Sequence, residues 1–209
     1  MSRRRGFTVL EMIIVAVIVL GLLIIVCTFL QRGSHYTRET EAYAYAQREA
    51  TSFVRRLSDE MSNSVDKWIE YGPGYVIFLS PLPPDGAGRA VIFDPASGDL
   101  TWQKWVCYFQ SAADRTIRRA EIRLDAATAN LTTEPNPIPT LATFQSLPEN
   151  RREVAARSVE AFSITGAGLA SYGFSVSTRA TAAIATATDA QKQVEITLNS
   201  QVTVLNSGI

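Results

Sequence analysis

Histidine, cysteine and net charge are scarce in this chain, and each shortage argues against a class of function. Among 209 residues there is one histidine, His35, and there are two cysteines. A single imidazole argues against a histidine-based metal site or catalytic triad, and two thiols argue against a disulfide-dense scaffold. Basic and acidic residues balance at 20 each, so the positive excess typical of nucleic-acid-binding proteins is missing. With 46% hydrophobic residues the chain is also too apolar to be disordered.

A long uncharged apolar segment lies near the N-terminus. Residues 12–30, MIIVAVIVLGLLIIVCTFL, would span about 28 Å as a helix, close to the roughly 30 Å hydrocarbon core of a bilayer. Arg3, Arg4 and Arg5 precede the segment, and Arg32 is the only basic residue just after it. This distribution predicts a single-pass protein of the cytoplasmic (inner) membrane, with a cytoplasmic N-terminus and an extracytoplasmic C-terminal domain.

Several kinds of N-terminal segment share this composition. A cleaved secretory signal has a shorter apolar region and a small-x-small cleavage site, which residues 26–30 do not provide. A lipoprotein signal needs a small residue before its cysteine, whereas Val26 precedes Cys27. A plain signal anchor stays open, but it gives no role to Glu11, since a carboxylate at membrane depth costs a few kcal/mol unless it is paired.

The residues around Glu11 resemble the leader of type IV prepilins. Residues 5–11, RGFTVLE, have the family's Gly, then Phe as the first mature residue, and Glu at the fifth mature position. The resemblance implies that prepilin peptidase removes the leader 1–6 by cutting after Gly6, and that the new amine of Phe7 is methylated. It also implies that Glu11 pairs with the N-terminal amine of a neighbouring subunit. Physics supports such a pair, because an amine and a carboxylate in an apolar bundle attract strongly while either alone is penalised.

The helix is predicted to continue beyond the membrane as an amphipathic extension over residues 31–70. Apolar side chains recur there every three or four positions from Tyr43 to Trp68, which indicates one apolar stripe on a helix. The Gly-Pro-Gly sequence at 72–74 is expected to end it. We expect the end at 53–68 to pack against the chain's own C-terminal domain, and the part nearer the membrane to face other subunits.

The predicted fold class is α+β: a long N-terminal helix, membrane-spanning over 7–30, packed against an antiparallel β-sheet domain in residues 71–209. Residues 126–149 are predicted to be a long loop and a candidate contact surface. Residues 151–159 are predicted to form a short helix, and 179–190 are left undecided between strand and loop. The predicted strands are 75–79, 90–93, 100–110, 116–125, 162–164, 172–178 and 193–204.

No arrangement of residues supports catalysis, so the chain is not expected to be an enzyme and no cofactor is predicted. Cys107 is predicted to be a buried small hydrophobe, too far from Cys27 to form a disulfide. Asp94 and Asp99 flank a turn compatible with a calcium ion, but turn chemistry alone explains them, and no metal is predicted. The aromatic residues of 102–109 are expected in the core rather than on a ligand-stacking face.

The expected function is therefore structural. The layout resembles the larger minor subunits of pilin systems, namely the J-type pseudopilin of type II secretion and the W-type minor pilin. This implies assembly into the tip or priming complex of a type II secretion pseudopilus or a type IV pilus. The implied partners are prepilin peptidase, other major and minor subunits, a membrane assembly platform and the lipid bilayer; no nucleic acid is expected. The alternative is a membrane-anchored extracytoplasmic binding module for exported substrate or a surface ligand.

Overall fold

The described part of the chain folds into one long α-helix, two antiparallel sheets and a second, short α-helix. The structure, a computed structural model, describes residues 8–83, 91, 93–95, 100–111, 113–128, 138–166, 171–182 and 192–204. The helices are α1 (Val9–Met61) and α2 (Leu141–Gln145). The strands are β1 (Ile69–Gly72), β2 (Tyr75–Ser80), β3 (Trp102–Ser111), β4 (Thr116–Thr128), β5 (Arg152–Ala156), β6 (Val159–Gly166), β7 (Ser171–Ala182) and β8 (Lys192–Thr203).

Helix α1 spans 53 residues, about 80 Å in length, and ends earlier than its apolar periodicity predicts. The expected end was near residue 70, but the last helical residue is Met61. Serine and asparagine follow it, and both side chains bond back to the helix: Ser62 Oγ donates to the Asp59 carbonyl at 3.1 Å and Asn63 Nδ2 to the same oxygen at 2.8 Å. Such local bonds satisfy terminal carbonyls and favour chain reversal over another helical turn.

The strands form two sheets. Strands β1 to β5 are neighbours in sequence order in a five-stranded antiparallel sheet, and β6 to β8 form a separate three-stranded antiparallel sheet. The predicted α+β class, with a long N-terminal helix and antiparallel strands, is thus confirmed. Gln110 joins the two sheets, because its side-chain amide donates to the Glu160 carbonyl at 3.0 Å and accepts from the Phe162 N–H at 3.2 Å. One amide side chain therefore pairs with the edge of β6 as a neighbouring strand would.

The C-terminal part of α1 fills the space between the sheets, as expected. Phe53, Leu57 and Met61 are at most 1% exposed and belong to one apolar cluster with both sheets. Phe53 contacts Tyr108 and Phe162 edge-on, at ring-centroid distances of 5.8 and 5.4 Å. The helix is thereby held to both sheets by the same apolar residues.

A second apolar cluster lies on the other face of the five-stranded sheet. It contains Trp105 and Cys107 of β3 together with Trp68, which follows α1, and Phe144 of α2. The aromatic residues of β3 are therefore core residues, as predicted, rather than a ligand-stacking face. The short helix α2 covers this face, and Phe144 is completely buried.

Three local predictions are wrong or incomplete. Residues 152–156 form strand β5 instead of a helix, because they pair with β4 along its free edge, Val154 opposite Arg118. The predicted loop 126–149 is not all loop: β4 continues to Thr128 and α2 packs on the sheet, while 129–137 lies outside the described residues. Of the predicted strand 90–93, positions 90 and 92 lie outside the described residues, and Phe93 forms an isolated bridge to Leu100.

Candidate assembly surface on the N-terminal helix

Helix α1 divides at Ala46 into a buried half and an unburied half. Ala46 is 2% exposed, and its carbonyl accepts a hydrogen bond from Thr178 Oγ1 at 3.2 Å. From residue 9 to residue 45, none of the described side chains is buried. The buried half of α1 forms, with the two sheets and α2, a folded unit that is called the head below. The unburied half extends from this head without tertiary contacts that bury its residues.

The unburied half is dominated by large apolar side chains. Its most apolar 18-residue window has a mean hydropathy of 3.4, and the helix is long and apolar enough to cross a membrane. Exposed fractions run from 77% at Val9 to 49% at Val19, and Leu30 is still 69% exposed. Soluble monomers rarely expose a contiguous apolar patch larger than a few hundred Å². This surface is therefore suited to contact with lipid or with other apolar helices.

Glu11 lies in the first turn of α1, where it forms a capping box with Thr8. The Thr8 N–H donates to Glu11 Oε2 at 2.8 Å, and the Thr8 hydroxyl lies 3.1 Å from the same oxygen. In return, the Glu11 N–H donates to Thr8 Oγ1 at 3.3 Å. The carboxylate is also stabilised by the positive end of the helix dipole. Glu11 thus has hydrogen-bond partners in its own chain.

This geometry modifies the expectation that only a sister subunit relieves the cost of burying Glu11. The capping box offsets part of that cost, and it makes Thr8 a residue of the site that the motif analysis did not single out. The Thr-x-x-Glu spacing of residues 8–11 is a sequence signature of a capping box and would have identified it. A carboxylate offers about four acceptor positions, so Glu11 retains capacity for a further donor such as an amine.

The predicted cleavage and methylation residues, Gly6 and Phe7, lie outside the described residues. They directly precede Thr8 in the chain, so an amine created at Phe7 would be covalently adjacent to the capping box. The described part of the site consists of Thr8 and Glu11, followed by the apolar helix.

Charged pairs between α1 and the five-stranded sheet hold the buried half of the helix in place. Arg56 forms two hydrogen bonds to Glu153 of β5, at 2.8 and 2.7 Å. Glu60 accepts from Arg119 Nε of β4 at 3.1 Å, and the Arg119 side chain is only 4% exposed. The hydrogen bond from Arg56 lowers the pKa of the Glu153 carboxyl below its ordinary value. These pairs fix the orientation of the unburied half relative to the head.

The remaining candidate residues have structural surroundings. Cys107 is completely buried, and burial raises the pKa of its thiol, as expected of an inert small hydrophobe. Cys27 is exposed on α1, and both cysteines are free. Among the described residues, no group of three or more His, Cys, Asp or Glu side chains is placed to hold a metal ion. Of the two acids that flank the turn, Asp94 belongs to the described residues, whereas Asp99 lies outside them.

Comparison of the chain with models of protein families, with curated proteins and with solved structures finds no match. Function must therefore be inferred from the residues and geometry of the chain itself.

Proposed function

We propose that the chain is a structural minor pilin or pseudopilin. In this proposal it is inserted in the cytoplasmic membrane, processed after Gly6 and N-methylated at Phe7. It then assembles through α1 with related subunits into the tip or priming complex of a type II secretion pseudopilus or a type IV pilus. The observation that carries the proposal is the combination of an unburied apolar half-helix with a carboxylate fixed in its first turn by Thr8.

The charge of Glu11 is costly once the helix lies in an apolar environment. A plain anchor is most stable with no ionisable group within its membrane-spanning length, whereas Glu11 lies inside the predicted span 7–30, immediately before the uncharged segment. Its capping bonds come from neutral donors and leave its negative charge uncompensated. An N-terminal amine of a neighbouring subunit would supply the opposite charge in a low-dielectric bundle, where such a pair is strongly attractive. The pair would also fix the axial register of adjacent helices.

The experiment compares four single variants in the natural membrane: Glu11→Ala, Glu11→Gln, Thr8→Val and, as a matched control, Asp59→Ala. Asp59 is an exposed acid on the same helix, in the half that packs on the sheets. We expect Glu11→Ala and Glu11→Gln to insert normally but to lose co-purification with other subunits, and Asp59→Ala to behave as wild type. Thr8→Val removes the hydroxyl but keeps the N–H donor and the charge, so it should retain association.

Two outcomes contradict the proposal. Normal incorporation of Glu11→Ala into a filament or its tip would remove the role of the carboxylate. Wild-type chain that never associates with other pilin-like subunits in its membrane would favour the membrane-anchored binding module instead.

A further inference from the structure

Strand β8 is an edge strand of the three-stranded sheet. The strand order is β6, β7, β8, so within the described part of the chain β8 pairs on one side only. Its twelve residues pair with β7 without a register shift, from Thr203 opposite Ser171 to Lys192 opposite Ala182. Backbone groups of a strand alternate between its two sides, so about half of the N–H and C=O groups of β8 point away from β7. This side of β8 is called the open edge below.

The other three edges of the two sheets are short or covered. Strand β1 has only four residues, and β5 has only five and pairs with β4 through a register shift. The free side of β6 is occupied by Gln110, whose amide bonds to the Glu160 carbonyl and the Phe162 N–H. Proteins commonly protect their sheet edges by shortness, irregularity or such cover. The open edge is long and regular instead, and residues 196–204 contain neither a charged residue nor a proline.

The chemistry of the open edge specifies an extended strand as its ligand. Unpaired backbone groups along a strand are matched by a second strand, whose own N–H and C=O groups repeat at the same spacing. On the side of β8 that faces α1, Val202 is buried, whereas Ile196 and Leu198 are only half-buried. On the opposite side, Thr197 and Asn199 are exposed. A strand in which apolar and polar residues alternate would therefore cover Ile196 and Leu198 and keep its polar side chains in water.

A second copy of this chain fits the open edge poorly. Antiparallel pairing of two β8 strands puts a two-fold axis perpendicular to the sheet, and this axis reverses the direction of a helix that lies across the sheet face. Helix α1 lies across that face, with Phe53 in the same apolar cluster as Val202. In an anchored chain the apolar halves of the two helices would then point in opposite directions and could not enter one membrane. A segment of a different protein has no such constraint.

We propose that the open edge binds an extended segment of a partner protein by β-strand addition, antiparallel to β8. The segment alternates β-branched apolar residues, which extend the layer facing α1, with polar residues on the outer face. It contains no proline at the positions whose N–H groups face β8, because proline cannot donate to the ladder. This binding surface goes beyond the proposed function, since it lies in the head and requires neither cleavage after Gly6 nor pairing of Glu11.

The test is a titration of the full chain in detergent micelles with a fluorescent synthetic peptide, followed by anisotropy. The peptide has about nine residues, an ordinary strand length, and its valines alternate with threonine and lysine. Saturable binding to the wild-type chain is expected. Two double variants place lysines in the same two rows of the sheet: Thr197→Lys with Asn199→Lys on β8, and, as the matched control, Ala161→Lys with Ser163→Lys on β6. All four of these positions are exposed.

The β8 double variant should weaken peptide binding about fivefold or more, because like charges on adjacent strands repel, whereas the β6 double variant should bind as wild type does. Two further peptides carry N-methyl groups on every second amide, in the two alternative alternations. Only amides that face β8 donate to it, so one methylated peptide should lose binding and the other should keep it. Apolar adsorption to the chain or to the micelle would not distinguish the two.

Three results overturn the inference: no saturable binding, equal weakening by the two double variants, or equal binding of the two methylated peptides. A wild-type chain that forms dimers in micelles while the β8 double variant stays monomeric would assign the open edge to a second copy, and it would overturn the inference as well. None of these results affects cleavage after Gly6 or the role of Glu11. Failure of this inference is therefore distinguishable from failure of the proposed function.

Discussion

Replacement of Phe53 by alanine should separate the folding role of α1 from its assembly role. The Phe53 ring is 1% exposed and contacts Tyr108 of one sheet and Phe162 of the other. Truncating a fully buried phenylalanine costs roughly 3–5 kcal/mol, because transfer free energy is lost and a cavity is left. A domain of this size is stable by only about 5–15 kcal/mol, so the variant should lose a large fraction of its stability.

The matched control is Tyr45→Ala, which truncates an aromatic residue on the same helix, eight positions nearer the membrane, where the ring is 48% exposed. Its effect on the stability of the head should stay within about 0.5 kcal/mol, as for surface substitutions in general. Because assembly is proposed to use the unburied half of α1, Tyr45→Ala should instead weaken association with other subunits. The two variants thus predict opposite patterns in two assays.

Urea unfolding of the full chain in detergent micelles, followed by tryptophan fluorescence, measures the effect on stability. For a denaturant slope near 2 kcal/mol/M, Phe53→Ala should lower the midpoint by about 2 M. An unchanged midpoint for Phe53→Ala, or an equal shift for Tyr45→Ala, would refute the assignment of the buried and unburied halves. All tryptophans of the chain are buried in the head and report its unfolding: Trp68, Trp102 and Trp105.

Three further predictions concern the head. Arg119→Met should destabilise the head by about 1.5–3 kcal/mol in the same assay, because Glu60 and Glu121 lose the charged hydrogen bonds of a buried cation, although Glu60 still pairs with Arg56 and Glu121 with Lys104. Arg55→Met at an exposed pair should cost under about 1 kcal/mol, and equal effects of the two variants would contradict the burial of the Arg119 pairs. The hydrogen bond from Arg56 holds the pKa of the Glu153 carboxyl below its ordinary value, so the stability from this pair is present above the ordinary glutamate pKa of about 4.3 and is lost as the pH falls through the lowered pKa. Glu153→Gln should therefore show a smaller loss of unfolding midpoint between about pH 7 and about pH 3 than wild type, and an identical loss would exclude the pair as its source. Cys107 should react with a thiol reagent only after denaturation, as located by peptide mass, because Cys27 is exposed and can be labelled separately; rapid labelling of Cys107 in the folded chain would contradict its burial.

Much of the architecture was predictable because its signals are local. The uncharged segment 12–30, the three-and-four spacing that buries Phe53, and the alternation along 116–125 each depend on neighbours in sequence. The capping box of Thr8 and Glu11 is equally local and was missed only because the two residues were read as parts of a processing motif.

The errors come from contacts between residues distant in sequence. Residues 152–156 contain good helix formers, but the free edge of β4 pairs with them and overrides that propensity. Trp68 continues the apolar spacing of α1 although the helix ends at Met61. Its side chain is apolar because it packs on the face of the five-stranded sheet that is turned away from α1. The placement of the two sheets against each other depends on bonds such as those of Gln110 to Glu160 and Phe162, which no local pattern predicts.

The candidate site was predicted less completely than the fold. The sequence alone identifies Glu11 and the apolar segment. Only the burial of side chains in the folded chain shows that the helix leaves the head at Ala46. Only that boundary places Tyr45 on the unburied side and outside the membrane-spanning length.

The most direct measurement is the intact mass, with N-terminal sequencing, of the chain extracted from its own membrane. If it is a processed pilin-like subunit, the chain begins at Phe7 and carries one methyl group on its amine. A chain that retains Met1, or that is cut at any bond other than the one after Gly6, would contradict the proposed function.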